Sequence, residues 1–466
     1  MQSLDRRIVR LAVPALGSIA AEPLYNLADT AIVGHLGRLP LDSLAIAVST
    51  LAIVSWLSIF LATATTSTVA RLTAAGKTEA AGRAVGAAYA IAVAWGAVVA
   101  GAVALAAPYA AGLLGARGAV LTGATGYLRA SAVGLPFLYV SFSGNGHMLG
   151  LENTRTPLRI AVSANAANVA LEVLLVFGLH AGLLGSAWGT VLAQAFAAAW
   201  YAAASSRAAV RPRRPGADEI RALLGDGHRL SVRTIALGVV PLATTAVVAR
   251  LGPATLAGHQ IAYRIWYMLS LSLDALAVPA QVFVSAAIGG GNPEAARRTG
   301  QRTLWLGLAT GCVFGVVTAA LAFGAPDLFT SDPAVRHYAV LGLVASAVTQ
   351  PLAAFAFVLD GLILGIADYA AMRRAMILAI FAFVPMAALT VRFHWLGLPG
   401  VWAALGLWLA ARSVLLGRRW AAHVRISASQ RAATPPGRRS EARGTSAERR
   451  GKAACSGGPE ASGEAE

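Results

Sequence analysis

Apolar stretches long enough to cross a bilayer recur along almost the whole chain, and short polar connections between them carry most of its charge. At ~1.5 Å rise per residue, about 20 apolar residues cover the hydrocarbon core. On that measure the pattern predicts twelve spans: 9–34, 44–72, 84–107, 122–149, 157–180, 184–206, 228–250, 256–287, 301–325, 335–365, 371–393 and 397–421. The first is interrupted by polar positions at a helical spacing. Glu22, Tyr25 and Asp29 fall three, four and seven residues apart, which at ~100° per residue places them on one helix face. An ionised carboxylate in hydrocarbon costs at least ~2.5–3.5 kcal/mol, so this face is expected to turn toward a polar cavity. Pro14 lacks an N–H and crowds the preceding turn, which predicts a bend in the same helix.

Composition narrows the class. Hydrophobic residues make up 57% and charged residues 13% of the chain, against about 25% charged in soluble domains. The spans leave no soluble stretch long enough to build a separate domain, so the fold class is all-α and polytopic. The first apolar run outlasts a signal-peptide core and is read as an uncleaved span. Cys312 in a span and Cys455 in the tail give neither a disulfide framework nor a metal pattern. The net charge of +17 is distributed by connection. Clusters such as Arg6, Arg7 and Arg10, or Arg297, Arg298 and Arg302, alternate with single residues such as Arg38, Arg117 and Arg250. By the positive-inside rule both termini are expected in the cytoplasm, and the basic excess reflects topology, with no nucleic-acid partner.

The chain also repeats. Ala28–Gly37 (ADTAIVGHLG) resembles Ala243–Gly252 (ATTAVVARLG), and the same offset of 215 carries Gly76 onto Gly291, Leu135-Pro136 onto Gln350-Pro351, Leu149-Gly150 onto Leu364-Gly365, and Gly185 onto Gly400. Two homologous six-span lobes follow, 1–206 and 226–422, joined by a cytoplasmic linker at 207–225. An even number of spans inserts both lobes the same way up, which predicts a pseudo-twofold axis along the membrane normal. Residues 423–466 are rich in Ser, Gly, Arg, Glu and Pro and are expected to be a disordered cytoplasmic tail.

The repeat acts as an internal control. Asp29 maps onto Thr244, Asn168 onto Phe383 and Glu172 onto Ala387, so only the first lobe carries these polar groups. Asn165, Asn168 and Glu172 form one stripe on the fifth span. The asymmetry favours function over packing. Burial and mutual repulsion oppose ionisation of both acids at once, so a shared cavity containing Asp29 and Glu172 would take up protons. Nearby asparagines can donate to a carboxylate or accept from a carboxylic acid. Asn145 maps onto Asp360, a position polar in both lobes, which favours a structural role. Asp274 is read either as a second-lobe ion or substrate contact or as a buried hydrogen-bonded acid, and His147 as an interhelical hydrogen bond. His35 and Glu22 are secondary candidates, as are Asn165, Gln194 and Asp360, the last as a substrate or ion contact. Charge within the spans is read as mainly acidic.

The chain has no HExxH, GxSxG or P-loop motif, so neither an enzyme nor an ATP-driven pump is expected. Three stretches, AVPALGSIAAEPLYNLADTAIVGHLG, NAANVALEVLLVFGL and LLGSAWGTVLAQ, resemble the multidrug and toxic compound extrusion (MATE) family, within it the DinF-like branch, over roughly residues 8–422. The resemblance implies a secondary antiporter of the bacterial inner membrane exporting amphipathic, often cationic compounds in exchange for H⁺ or Na⁺. It implies an ion-coupling network of Tyr25, Asp29, Asn145, Asn168, Glu172 and Thr190, with Pro14 as the bending point of the first span. Glu172 stands where the branch often has Asp, and no acid lies between Leu230 and Arg250, where the Na⁺-linked branch uses one. Protons are therefore the expected coupling ion, with Na⁺ or a lipid-linked-precursor flippase as alternatives. The other expectations are no cofactor or metal, contact with membrane lipid, and a monomer.

Overall fold

The computed structural model describes residues 4–432, without the side chains of Glu22 and 427–432. The expectations for Glu22 and for the tail beyond 432 therefore lie outside the described residues.

Among the described residues the chain forms fourteen α-helices: α1 Leu4–Gly34, α2 Arg38–Ser58, α3 Phe60–Ala74, α4 Thr78–Leu113, α5 Gly118–Ala132, α6 Leu135–Gly150, α7 Arg155–Val173, α8 Gly182–Ser206, α9 Ala217–Ala249, α10 Pro253–Gly289, α11 Pro293–Leu321, α12 Pro333–Gly365, α13 Tyr369–Arg392 and α14 Gly397–Ala432. The starts are chemically marked. Proline occupies the first turn of α10, α11 and α12, where its missing N–H costs nothing. Asn292, Asp332 and Asp368 cap the starts of α11, α12 and α13 through their side chains.

The protein is a polytopic all-α membrane protein. Among the described residues eleven helical segments are long and apolar enough to cross a membrane, taking Arg38–Ala74 across the break at Ile59. The expected span 122–149 is instead two helices of 15 and 16 residues, α5 and α6. They part at Val133–Gly134, just before Pro136, which cannot donate to the preceding turn. α4 also packs closely against Pro136, since a Cβ on Gly96 would lie 2.6 Å from its Cα. α1, by contrast, stays helical through Pro14 and Pro23.

The repeat is written into the helix boundaries. Displaced by 215 residues, the α2–α3 segment falls on α10 from first residue to last, and the α5–α6 segment does the same on α12. The ends of α1 and α9 and the starts of α4 and α11 and of α8 and α14 coincide in the same way. The breaks are confined to the first half; their counterparts in the second half, α10 and α12, are unbroken.

Packing divides the chain at Arg419. Residues up to Arg419 form one unit, so the homologous halves are not separable bodies. In the second unit, residues 420–432 are helical where a disordered tail was expected from 423, and Trp420 stacks on His423. The irregular linker is also shorter than expected, because α9 already begins at Ala217.

Within the first unit the halves meet near one end. Ile8 and Leu11 of α1 cluster with Ala70, Val282 and Phe283. Gln281 donates to Thr63 O and Ser67 Oγ, each at 2.8 Å, and Ser67 donates to Leu364 O at 2.9 Å. Ser231 donates to Leu57 O at 2.9 Å, and Arg302 pairs with Asp5 at 2.5 Å. This is the end whose connections carry the basic clusters. Large apolar side chains such as Leu105, Leu242, Val348 and Phe381 are exposed on the outside, as a lipid-facing surface requires.

Candidate functional site

α1, α7 and α8 bring together the polar residues of the first half. α8 lies close against α7 because Gly185 and Gly189 present no side chain. A Cβ on Gly189 would stand 2.9 Å from Glu172 Cγ, and one on Gly185 would stand 2.9 Å from the Leu175 carbonyl carbon. Immediately after Glu172 and Val173 the α-helix widens into a π-type turn, Leu174–Gly178, a feature often found beside functional positions.

In this fold Glu172 is fully buried and Asp29 is 3% exposed. The Tyr25 hydroxyl donates to Glu172 Oε1 at 3.3 Å and shares a 2.9 Å hydrogen bond with Thr190 Oγ1. Thr190 also lies 3.4 Å from Glu172 Oε1 as a donor and accepts from Asn168 Nδ2 at 3.4 Å. Thr190 has one proton to give, so it serves either Tyr25 or Glu172. Ser186 donates to Asp29 Oδ1 at 2.7 Å. Asn165 ties α7 to α1 by donating to Ala21 O at 2.8 Å.

Two buried acceptors in this network have no donor, Glu172 Oε2 and Asn168 Oδ1. Asp29 is an electrostatic neighbour of Glu172. Two carboxylates cannot bond to each other, but a proton on either turns it into a donor. The site therefore has a place for a proton that its fixed donors leave open.

Of the sequence candidates, Tyr25, Asp29, Asn168, Glu172 and Thr190 converge here. Asn145 on α6 makes no hydrogen bond to them. Gln194 turns toward the α5–α6 break, where Gly134 leaves room, and its Oε1 is buried without a partner. His147 is held by Ser205 Oγ at 2.9 Å, an interhelical hydrogen bond, and His35 bonds to its own helix at Ala31 O. The sequence reading missed Ser186 and the buried Tyr127, which lies near both carboxyls. Ser186 was visible one helical turn before Thr190, but Tyr127 carried no local signal. Among the described residues no group of three His, Cys, Asp or Glu side chains could hold a metal ion.

The second half inverts this pattern. The positions equivalent to Tyr25, Asn168, Glu172, Ser186 and Thr190 are Val240, Phe383, Ala387, Val401 and Leu405, all members of one hydrophobic core. Its charges lie elsewhere. Asp360 of α12 is bound by Arg412 of α14 and by Arg233 of α9, the latter at 2.8 Å. Arg412 is 2% exposed and also lies over the Trp408 and Phe357 rings. Asp274 of α10 is exposed at the surface of its helix, and its electrostatic neighbours are Arg233, Asp360 and Arg412. Charge inside the spans therefore includes buried arginines as well as acids. Arg233 and Arg412 interrupt apolar runs, a signal already present in the sequence.

The MatE family profile matches residues 14–174 and again 230–391, once in each half. The chain is similar to Protein DETOXIFICATION 44, chloroplastic, of Arabidopsis thaliana, at 32% identity over 88% of this chain and 81% of that one. It is similar to DNA damage-inducible protein F of Escherichia coli at 25% identity, covering 91% and 94% of the two chains. Among solved structures, one described as a crystal structure of MATE in the bent conformation superposes with a TM-score of 0.85 at 21% identity, covering 91% of this chain and 97% of that one. At that identity the likeness concerns the fold.

Proposed function

The chain belongs to the MatE family, whose members are transporters and not enzymes, and from that premise we propose that it is a secondary active exporter of amphipathic compounds driven by inward protons taken up at Asp29 and Glu172. The observation carrying this reading is the lopsided interior: one half buries two neighbouring carboxyls in a hydrogen-bonded network, and the other has no carboxyl there, only Thr244 bonded to its own helix and apolar core.

In this cycle the halves part at the end opposite the basic clusters, which the positive-inside rule makes the outer face, with both termini cytoplasmic. A proton entering from outside bonds Asp29 to Glu172 and frees Tyr25 and Thr190 to rearrange. Because these groups tie α1 to α7 and α8, the same event loosens α1, which carries Pro14 as its bending point. Substrate leaves outward, and the halves then rock to deliver the proton inward. One pH unit supplies ~1.4 kcal/mol per proton, and 100 mV adds ~2.3 kcal/mol per charge.

A cationic preference fits the same charges. Arg233 and Arg412 are answered by Asp274 and Asp360, leaving the Asp29–Glu172 pair as the uncompensated charge. The answered arginines also disfavour a flippase that holds pyrophosphate, and Arg233 and Arg412 already occupy Asp360, disfavouring a Na⁺ ion there. A DinF-like branch, a monomer and residence in a bacterial inner membrane complete the proposal. Efflux of a cationic dye from proteoliposomes, under separately imposed pH and Na⁺ gradients, tests it. Export driven by Na⁺ alone would remove the proton assignment.

A further inference from the structure

At the end where the halves meet, a cavity of about 320 Å³ lies between the start of α1 and the turn that joins α6 to α7. Three guanidinium side chains line it, Arg7 and Arg10 of α1 and Arg155 at the first position of α7, against one carboxylate, Glu152. Arg7 is engaged with Glu152 at 3.2 Å. Arg10 and Arg155 are exposed, and their side chains make no hydrogen bond or ion pair among the described residues. Thr154 lines the same cavity and is only 4% exposed, yet its hydroxyl has no hydrogen-bond partner among them either. Three cations against one anion leave the cavity a net charge of +2, and the positive N-terminal end of the 19-residue α7 adds to it.

The fold does not require these charges. The turn has a counterpart in the second half, where the left-handed backbone of Glu152 (φ 59°) is matched at Ala367 (φ 57°). Displaced by 215 residues, Arg7, Arg10, Glu152 and Arg155 fall on Ala222, Gly225, Ala367 and Ala370, so the second half builds the same turn with no charge at these positions. Topology needs only basic residues at this end of the molecule; it does not gather two unpaired guanidinium groups and an unpaired buried hydroxyl around one cavity. The cavity lies where α1 passes from polar to apolar residues, and basic pockets between helices at that level take anionic headgroups. Guanidinium meets phosphate through two parallel N–H bonds. A phosphate monoester carries a charge of about −1.5 to −2 at pH 7, the complement of the cavity's own, whereas a carboxylate carries half of that.

We propose that Arg10, Thr154 and Arg155 form a binding site for a phosphate monoester, carried by a phospholipid or by a soluble phosphate compound, with Arg7 held beside it by Glu152. Bound there, the phosphate ties α1 to the start of α7, next to the place where Ile8 and Leu11 of α1 pack on the second half. The site stands independently of the exporter reading.

Binding to the purified full chain in detergent is measured by microscale thermophoresis with dioleoylphosphatidic acid, dioleoylphosphatidylcholine and glycerol 3-phosphate. The wild type should bind a monoester about tenfold more tightly than phosphatidylcholine, whose phosphate is a diester beside its own cation. Matching affinity for glycerol 3-phosphate assigns the site to soluble phosphates, and binding of phosphatidic acid alone assigns it to lipid; either result supports the site. Arg10→Gln with Arg155→Gln should weaken the monoester about tenfold, and Thr154→Val about threefold. Glu152→Gln should strengthen it, because the competing carboxylate is gone. Arg207→Gln with Arg214→Gln removes the same charge from the linker and should leave the affinity unchanged. Both arginine pairs are exposed and unpaired among the described residues, so these variants keep the fold. No preference for a monoester over phosphatidylcholine, or equal losses in the two arginine pairs, overturns the site.

Discussion

Gly189 faces Glu172 across the α7–α8 contact so closely that a single added methyl would stand 2.9 Å from Glu172 Cγ and 3.2 Å from its backbone nitrogen. The second contact is with backbone, which cannot swing away. Gly189→Ala should therefore cost about 1–3 kcal/mol by overpacking and push Glu172 out of reach of Tyr25 and Thr190. Thermal unfolding in detergent should register the first effect, and pH-driven dye efflux the second.

Tyr25 and Thr190 share a hydrogen bond and both reach Glu172 Oε1. Removing one hydroxyl leaves the other free to serve the acid, so the two losses should not add. In a double-mutant cycle, Tyr25→Phe with Thr190→Ala should show a coupling of about 0.5–3 kcal/mol in unfolding free energy. Additive effects would mean that the hydroxyls act independently.

Asp360 is the only acid bonded to either Arg233 or Arg412 among the described residues. Asp360→Asn leaves those two mostly buried cations without their counter-charge and should destabilise the protein by about 3–5 kcal/mol. Replacing the Arg412 charge as well, in Asp360→Leu with Arg412→Met, should recover part of that loss, since well-packed apolar groups often substitute for a buried ion pair. Melting temperatures of the single and double variants decide this.

The spans could be read from the sequence because lipid demands long apolar runs, and the polar cluster of the first half because Glu22, Tyr25 and Asp29, and likewise Asn165, Asn168 and Glu172, repeat at helical spacing. Periodicity names a face without saying what lies opposite it. Ser186 and Tyr127 become part of the site only once α8 and α5 are packed beside it. The division at Gly134 was hidden for a similar reason: Leu135-Pro136 and Gln350-Pro351 are matched positions, yet the helix breaks at the first and runs on through the second. Arg233 and Arg412 were visible but ambiguous, because a basic residue in a span marks either a membrane edge or an interior partner, and only the location of Asp360 distinguishes the two.

The most direct test of proton coupling is dye efflux from proteoliposomes, comparing wild type with Asp29→Asn under an imposed pH gradient. The wild type should export a cationic rhodamine ester against its concentration gradient, and Asp29→Asn, which removes one of the two neighbouring carboxyls, should bind the dye but fail to move it uphill. Full pH-driven export by Asp29→Asn would contradict proton uptake at this site.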